Sequence, residues 1–144
     1  SRGLGDVYKR QGVCYGGKRF YDQGGLAGKR ALVTVTLGGR EHMFGDGAIH
    51  GPLEDMLRPI LRGTLAYVGF EVLPPFVLHR TSRIDEAAFA VACEELERRL
   101  DGLWSDAPIA FRRQNGGDYL IPELTLRPEL APGKEGLDIH LQDS

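Results

Sequence analysis

A chain of 144 residues suits one domain, and a content of 42% hydrophobic and 26% charged residues is that of an ordinary globular protein. A net charge of −2 sets up no overall basic field for nucleic acid. No apolar run approaches the ~18 residues that would read as a membrane span, and no signal-peptide pattern opens the chain.

The first eleven residues, SRGLGDVYKRQ, lack apolar periodicity and an initiator Met. They resemble translated adaptor sequence, so residues 1–11 are expected to be a non-native leader. Residues 12–28 are rich in glycine and aromatics without helical or strand period and predict a loop. Cys14, in this loop, and Cys93 fit neither C-x-x-C nor a zinc spacing. Two thiols in a reducing cytoplasm are expected. The run Ala31-Leu32-Val33-Thr34-Val35-Thr36-Leu37 is short, β-branched and nearly continuously apolar, which suits a strand covered on both faces in a parallel sheet. Gly38-Gly39 ends it, and a loop runs to Gly51.

Pro52 then opens a helix where its missing N–H costs little. Leu53, Met56, Leu57, Ile60, Leu61, Leu65 and Val68 form one helical stripe. Pro59 predicts a kink within it, and Gly69 a C-terminal stop. Phe70 to Leu78 reads as a second apolar strand, bent or ended by Pro74-Pro75. Asp85 can cap a second helix, with Phe89, Ala92 or Cys93, Leu96, Leu100 and Leu103 as its stripe and Trp104 as a lid. Strand, helix, strand, helix implies an α/β fold with a right-handed parallel unit and helices on its faces. Residues 105–144 hold four prolines and little period. They predict an extended C-terminal tail that packs on this domain or on a second subunit. The domain proper is therefore placed at residues 12–104. Two strands and two helices make a thin core, as expected of the C-terminal part of a domain whose first strands are absent.

Three places could carry chemistry. Thr36-Leu37-Gly38-Gly39 lies at the C-terminal end of a parallel strand, the edge where ligands bind in open α/β sheets. Glycines there let backbone N–H groups approach a flat ring or an anion, or simply make a tight turn. His50, at the same edge, could stabilise charge on a ring oxygen or be a surface or cap histidine. Tyr15, with Phe20 and Tyr21, could wall a pocket for a planar substrate or pack the loop. His42, His79 and His140 share no metal-ligand spacing. Arg112-Arg113 reads as a solvated pair, and Glu94-Glu95 with Glu97-Arg98-Arg99 as the wet face of the second helix.

Four stretches in order go beyond composition: YDQGGLAGKRAL from Tyr21, VTVTLGG from Val33, AIHGPLEDMLRPILRGTLAYVGFEVLPPFVLH from Ala48, and GLDIHL from Gly136. Over about residues 12–144 the chain resembles the NAD(P)H dehydrogenase (quinone) family. That family includes the mammalian diaphorases, bacterial modulators of drug activity and the ancillary subunits of glutathione-gated potassium efflux. The resemblance implies a flavodoxin-like parallel sheet with helices on both faces, present here as its C-terminal part. It implies a cytoplasmic homodimer that binds FAD, or in some relatives FMN. Such enzymes pass a hydride from NADPH or NADH to flavin and then two electrons to a quinone.

By the same resemblance Thr36, Leu37, Gly38 and Gly39 line the isoalloxazine through backbone contacts. His50 stands near the pyrimidine edge, where it helps to stabilise the reduced ring, and Tyr15 reaches the quinone pocket. Phe44 occupies the place of a tyrosine that works beside the histidine in mammalian members, and Gly17 that of a second pocket tyrosine. The absent N-terminal half would supply the phosphate-binding loop, so the fragment alone is expected to hold flavin poorly and to be inactive. An alternative role is that of a regulatory subunit of a potassium efflux antiporter. A flavin-free structural relative is a third.

Overall fold

The computed structural model describes Cys14 and residues 19–142. Among these, two parallel strand pairs form the frame: β1 (Arg30–Ala31) with β3 (Glu71–Val72), and β2 (Thr34–Thr36) with β4 (Phe76–Leu78). The single strands expected over 31–37 and 70–78 are thus each split in two. The register explains the split. Ala31 faces Val72, whereas Thr34 faces Phe76, so Leu32-Val33 must span the same distance as Leu73-Pro74-Pro75. Two adjacent prolines offer no N–H to a ladder. The second strand therefore bulges there and resumes with Phe76 N–H donating to the Val33 carbonyl at 2.9 Å, after Leu73 N–H has donated to Ala31 at 2.8 Å. The expectation of a strand covered on both faces is corrected. In β2 only Val35 is half-buried, while Thr34 and Thr36 are exposed.

The parallel pairs are joined through α1 (Leu53–Ile60), whose first turn carries Glu54 and Asp55 near the positive end of the helix dipole. Pro59 sits inside it, as expected. The helix then widens to a π turn over Leu61–Leu65 and tightens to a 3-10 turn over Ala66–Val68. Proline removes an intrahelical donor and crowds the preceding turn, and a wider turn relieves that crowding. One extra residue in a turn rotates the downstream residues by about 100°. Hence Leu57, Leu61, Ala66 and Val68 are buried, in place of the regular stripe through Leu65, while Met56 and Ile60 are half-exposed. Gly69 ends the helix at φ 109°, as expected of a left-handed stop.

The core joins Leu57, Leu61, Ala66 and Val72, with Val33, Val35, Leu53, Phe70 and Phe111 packed around them. Burying a side chain such as Leu61 stabilises by roughly 1.5–3 kcal/mol. The helix end is pinned to the preceding loop by a crossing of two glycines. A Cβ on Gly24 would stand 2.3 Å from the Val68 carbonyl group, and one on Gly69 would stand 2.7 Å from Ala27 N. Leu26 N–H donates across this crossing to Val68 O at 3.0 Å.

The second helix, α2 (Glu86–Asp101), begins at Asp85, whose carboxylate accepts from Ala88 N–H at 2.8 Å, the cap that the sequence predicts. None of its residues is buried. Phe89 and Leu100 are half-exposed, so the expected stripe is only partly covered. Trp104 is 74% exposed and is not a lid. Arg99, expected on the wet face, instead turns in and donates to the Pro74 carbonyl, tying α2 to the bulge. Cys14 is buried, Cys93 is half-buried, and no disulfide joins them.

The tail is more ordered than its composition suggests. Ile109 N–H donates to Val72 O at 2.8 Å, Phe111 bridges to Leu141, and β5 (Tyr119–Leu120) pairs antiparallel with β6 (Thr125–Leu126). It packs on this domain, one of the two expected destinations. The solvated Arg112-Arg113 pair is also corrected. Extended backbone alternates its side chains, so Arg112 and Gln114 are buried while Arg113 is exposed. Arg112 meets Asp118 at 3.1 Å and the Ile139 carbonyl at 3.0 Å. Among the described residues no helix is long and apolar enough to cross a membrane.

Substituting Gly24→Ala is expected to lower unfolding stability by about 1–3 kcal/mol, because backbone must move to admit the methyl. Gly63→Ala, in an exposed helical turn with open space around it, should raise stability by about 0.5–1 kcal/mol. Urea denaturation followed by circular dichroism separates the two.

Candidate functional site

Both frame strands run in parallel, so their C-terminal ends emerge on one edge. There Leu37 N–H donates to Leu78 O at 2.8 Å, and the Leu37 carbonyl accepts from both Thr81 N–H (3.1 Å) and Thr81 Oγ1 (3.2 Å). The backbone polar groups of Leu37 are therefore spent inside the protein, and anything touching Leu37 meets it through van der Waals contact. Thr36 is exposed, and Gly38 shares its side of the chain. A Cβ on Gly38 would meet nothing within 4 Å, and Gly38 takes part in none of the described backbone hydrogen bonds. Its peptide is thus open to a ligand.

Gly39 differs. A Cβ there would stand 3.0 Å from the Phe44 ring, so glycine is what lets that ring lie against the turn. The carbonyl of Gly39 accepts from Arg80 N–H at 3.0 Å. Arg80 itself holds φ 56°, the left-handed region. For a side chain with a Cβ this costs about 1–2 kcal/mol, and such strain clusters at functional sites.

Phe44 ends a short 3-10 turn over Glu41–Met43. The loop closes on itself through His50 N–H to Met43 O (3.1 Å) and Gly45 N–H to Gly51 O (3.0 Å). This closure sets the ring of His50 4.9 Å from that of Phe44, tilted by 33°. His50 is exposed. His79, just beyond β4, lies 5.5 Å from the same Phe44 ring. Its Nδ1 is buried without a hydrogen-bond partner. His79 has no sequence signal beyond its place after the apolar strand, and only strand pairing brings it here.

The turn opens into a cleft of about 300 Å³ lined by Gly38, Gly39, Arg40, Met43, Arg80, Ser82 and Arg83. Among the described residues three arginines and no acid line it, so the edge favours negative charge. An open glycine peptide, a ring-flanked histidine and a basic rim suit the electron-rich edge of a planar, reducible heterocycle such as a flavin. The structure therefore brings together Thr36, Leu37, Gly38, Gly39, Phe44 and His50. Tyr15 and Gly17 lie outside the described residues. Phe20 and Tyr21 pack with Tyr67: Phe20 stacks on it with centroids 6.0 Å apart, and Tyr21 meets it edge-on at 5.6 Å.

A second cluster, not apparent in the sequence, forms where the tail meets α1 and its π turn. Arg58 and Arg62 share a helix face and are both buried. Arg58 pairs with Asp138 at 2.6 Å, and Arg62 donates to Tyr21 Oη at 2.9 Å. Tyr119 Oη lies 2.9 Å from His140 Nδ1. Burial first, then the charges of Arg62 and Arg112, hold the His140 imidazole below its ordinary value of 6.5. Burial raises the Tyr119 phenol. Both groups are therefore neutral at pH 7 and are joined by a single hydrogen bond.

Comparison with known proteins gives a consistent result. A family model described as a flavodoxin-like fold, Flavodoxin_2, matches residues 6–100. The ribosyldihydronicotinamide dehydrogenase-like protein traD of Penicillium crustosum is 45% identical over 106 residues, 74% of this chain and 39% of its own length. NAD(P)H dehydrogenase [quinone] 1 of Cavia porcellus is 31% identical over 100 residues, 69% of this chain and 36% of its own. The crystal structure of a Klebsiella pneumoniae protein described as a "putative quinone reductase" superposes with a TM-score of 0.82 at 52% identity, covering 91% of this chain and 50% of that one. The chain thus spans half or less of the length of each of these.

Because the His140 pKa is lower folded than unfolded, the neutral form is favoured in the folded state. This contribution to stability is fully present above pH 6.5 and is lost as pH falls through the lower folded value. Acid unfolding of a His140→Gln variant should lack this component, as urea midpoints compared between neutral and mildly acidic buffer would show.

Proposed function

Since the chain belongs to the Flavodoxin_2 family, with its flavodoxin-like fold, we propose that it is the C-terminal part of a flavin-dependent NAD(P)H:quinone oxidoreductase. The observation that carries this reading is the open Gly38 peptide at the C-terminal end of a parallel strand, with the Phe44 ring against Gly39 and the His50 ring 4.9 Å from Phe44. The relatives' names supply the substrates, and the basic cleft agrees with them.

In this reading Thr36 and Leu37 contact the flavin ring by van der Waals packing, and the N–H groups of Gly38 and Gly39 face it. His50 donates toward its pyrimidine edge, where negative charge gathers on reduction. When bound, the flavin supplies the redox chemistry: it accepts a hydride from NADPH or NADH and gives two electrons to a quinone. Phe44 orients the His50 ring by tilted ring contact but has no hydroxyl to relay a proton. Arg40, Arg80 and Arg83 place positive charge along the same edge. FAD is the cofactor of this proposal. A homodimer completes the site, with Tyr15 reaching the quinone pocket, and the unbridged Cys14 and Cys93 suit a reducing cytoplasm.

The test expresses the complete protein that carries this chain and measures bound flavin and NADPH oxidation with menadione. A yellow, active protein is expected, in which His50→Ala lowers turnover by at least about tenfold, as loss of a charge-stabilising donor does. Phe44→Tyr, which restores a hydroxyl beside His50, should raise turnover several-fold. A colourless and inactive folded product would overturn the reading.

A further inference from the structure

Three arginines are buried among the described residues: Arg58, Arg62 and Arg112. Arg58 has Asp138 as its counter-charge, and Arg112 has Asp118. Arg62 has none among the described residues. Its guanidinium donates to the Tyr21 hydroxyl at 2.9 Å and lies 4.5 Å from the centre of the Tyr21 ring, and its Nε, like that of Arg58, is buried without an acceptor among the described residues. A buried cation held only by neutral groups is costly. It also sits in the π turn of the helix, a distortion that recurs at functional sites.

Beside it is a cavity of about 180 Å³, separate from the cleft at Gly38. Phe20, Tyr21 and Leu124 supply apolar walls; Arg62, Gln114, Tyr119 and His140 supply polar groups, and no acid lines it among the described residues. The polar groups are ordered. Arg62 donates to the Tyr21 oxygen at 2.9 Å, its charge acts on the neighbouring Tyr119 phenol, and the Tyr119 hydroxyl meets His140 Nδ1 at 2.9 Å. With Tyr21 oxygen accepting from Arg62, the Tyr21 proton is left to donate elsewhere. In the tautomer whose Nδ1 accepts from Tyr119, the ring proton of His140 stands on Nε2. The Tyr21 proton is thus available to an acceptor, and no acidic side chain among the described residues pairs with Arg62.

We infer that this cavity binds a small planar carboxylate of the benzoate class, its carboxylate meeting Arg62 and the Tyr21 hydroxyl and its ring lying among Phe20, Tyr21 and Leu124. A carboxylate matches the guanidinium fork and the phenol donor. The aromatic walls and the volume favour a single flat ring over a bare inorganic anion or a large ligand. The site is built from residues outside the Gly38–His50 edge, and it stands whether or not that edge carries a flavin.

The experiment titrates the 144-residue chain with benzoate, benzamide and inorganic phosphate, reading heat on binding and amide shifts by NMR. Saturable benzoate binding is expected, with shifts centred on Tyr21, Arg62, Tyr119 and His140 and no comparable response to benzamide or phosphate. Arg62→Gln should weaken benzoate by about 10- to 100-fold, the loss of a hydrogen bond to a charged group. Tyr119→Phe, which removes only the relay hydroxyl, should weaken it by about 2- to 10-fold and keeps the test decisive if Arg62→Gln does not fold. Absence of saturable benzoate binding, equal affinity for benzamide, preference for phosphate, or benzoate affinity unchanged in Tyr119→Phe would each overturn the inference.

Discussion

The parallel pairing of Thr34–Thr36 with Phe76–Leu78 is the constraint on which the candidate site depends. A parallel pair cannot be closed by a tight hairpin, so the chain between must travel back along the sheet, here through α1 and its π turn. Both strands then finish at one edge, and the residues just beyond them become neighbours. The Gly38–Gly39 turn, Arg80 and His79 owe their proximity to this geometry, fixed by the bonds of Leu37 to Leu78 and Thr81. The double proline at Pro74-Pro75 adds one residue to the second strand without disturbing that edge, because the register recovers at Phe76.

Two further devices hold the crossover in place. Gly24 and Gly69 allow a backbone crossing that no side chain would permit, which sets the depth at which the helix end meets the aromatic loop. The tail then locks the other side of α1. Arg58 reaches Asp138, and Arg112 binds Asp118 together with two tail carbonyls. Arg58 ties the tail to the helix and Arg112 ties the tail to itself, each with an acidic counter-charge, as burial of a cation demands. Arg62 stands apart from this pattern, and its place beside a cavity gives the exception a chemical sense.

α2 contrasts with α1. It is well capped at Asp85 and joined to the bulge through Arg99, yet none of its side chains is buried, and Trp104 stands in solvent. Its apolar positions are those expected of a helix that packs on a sheet. In this chain the frame offers it only the β4 side, so periodicity correctly identified the helix but overstated its cover.

Local chemistry was legible in the sequence. The β-branched runs, the caps at Asp85 and Gly69, the disruption at Pro59 and the break at Pro74-Pro75 all arise from backbone sterics and donor loss within a few residues. The grouping of Gly38, Phe44 and His50 was also visible, because they lie close in the chain and resemble a known pattern. Tertiary structure alone decided the rest. The π turn moved burial from Leu65 to Ala66, strand pairing carried His79 to Phe44, and alternation along the returning tail turned Arg112 inward. The pairing of Tyr119 with His140 beside Arg62 joins residues from three separate stretches of chain. Such contacts depend on how elements pack across long loops, and no local propensity encodes which partner a buried polar side chain will meet.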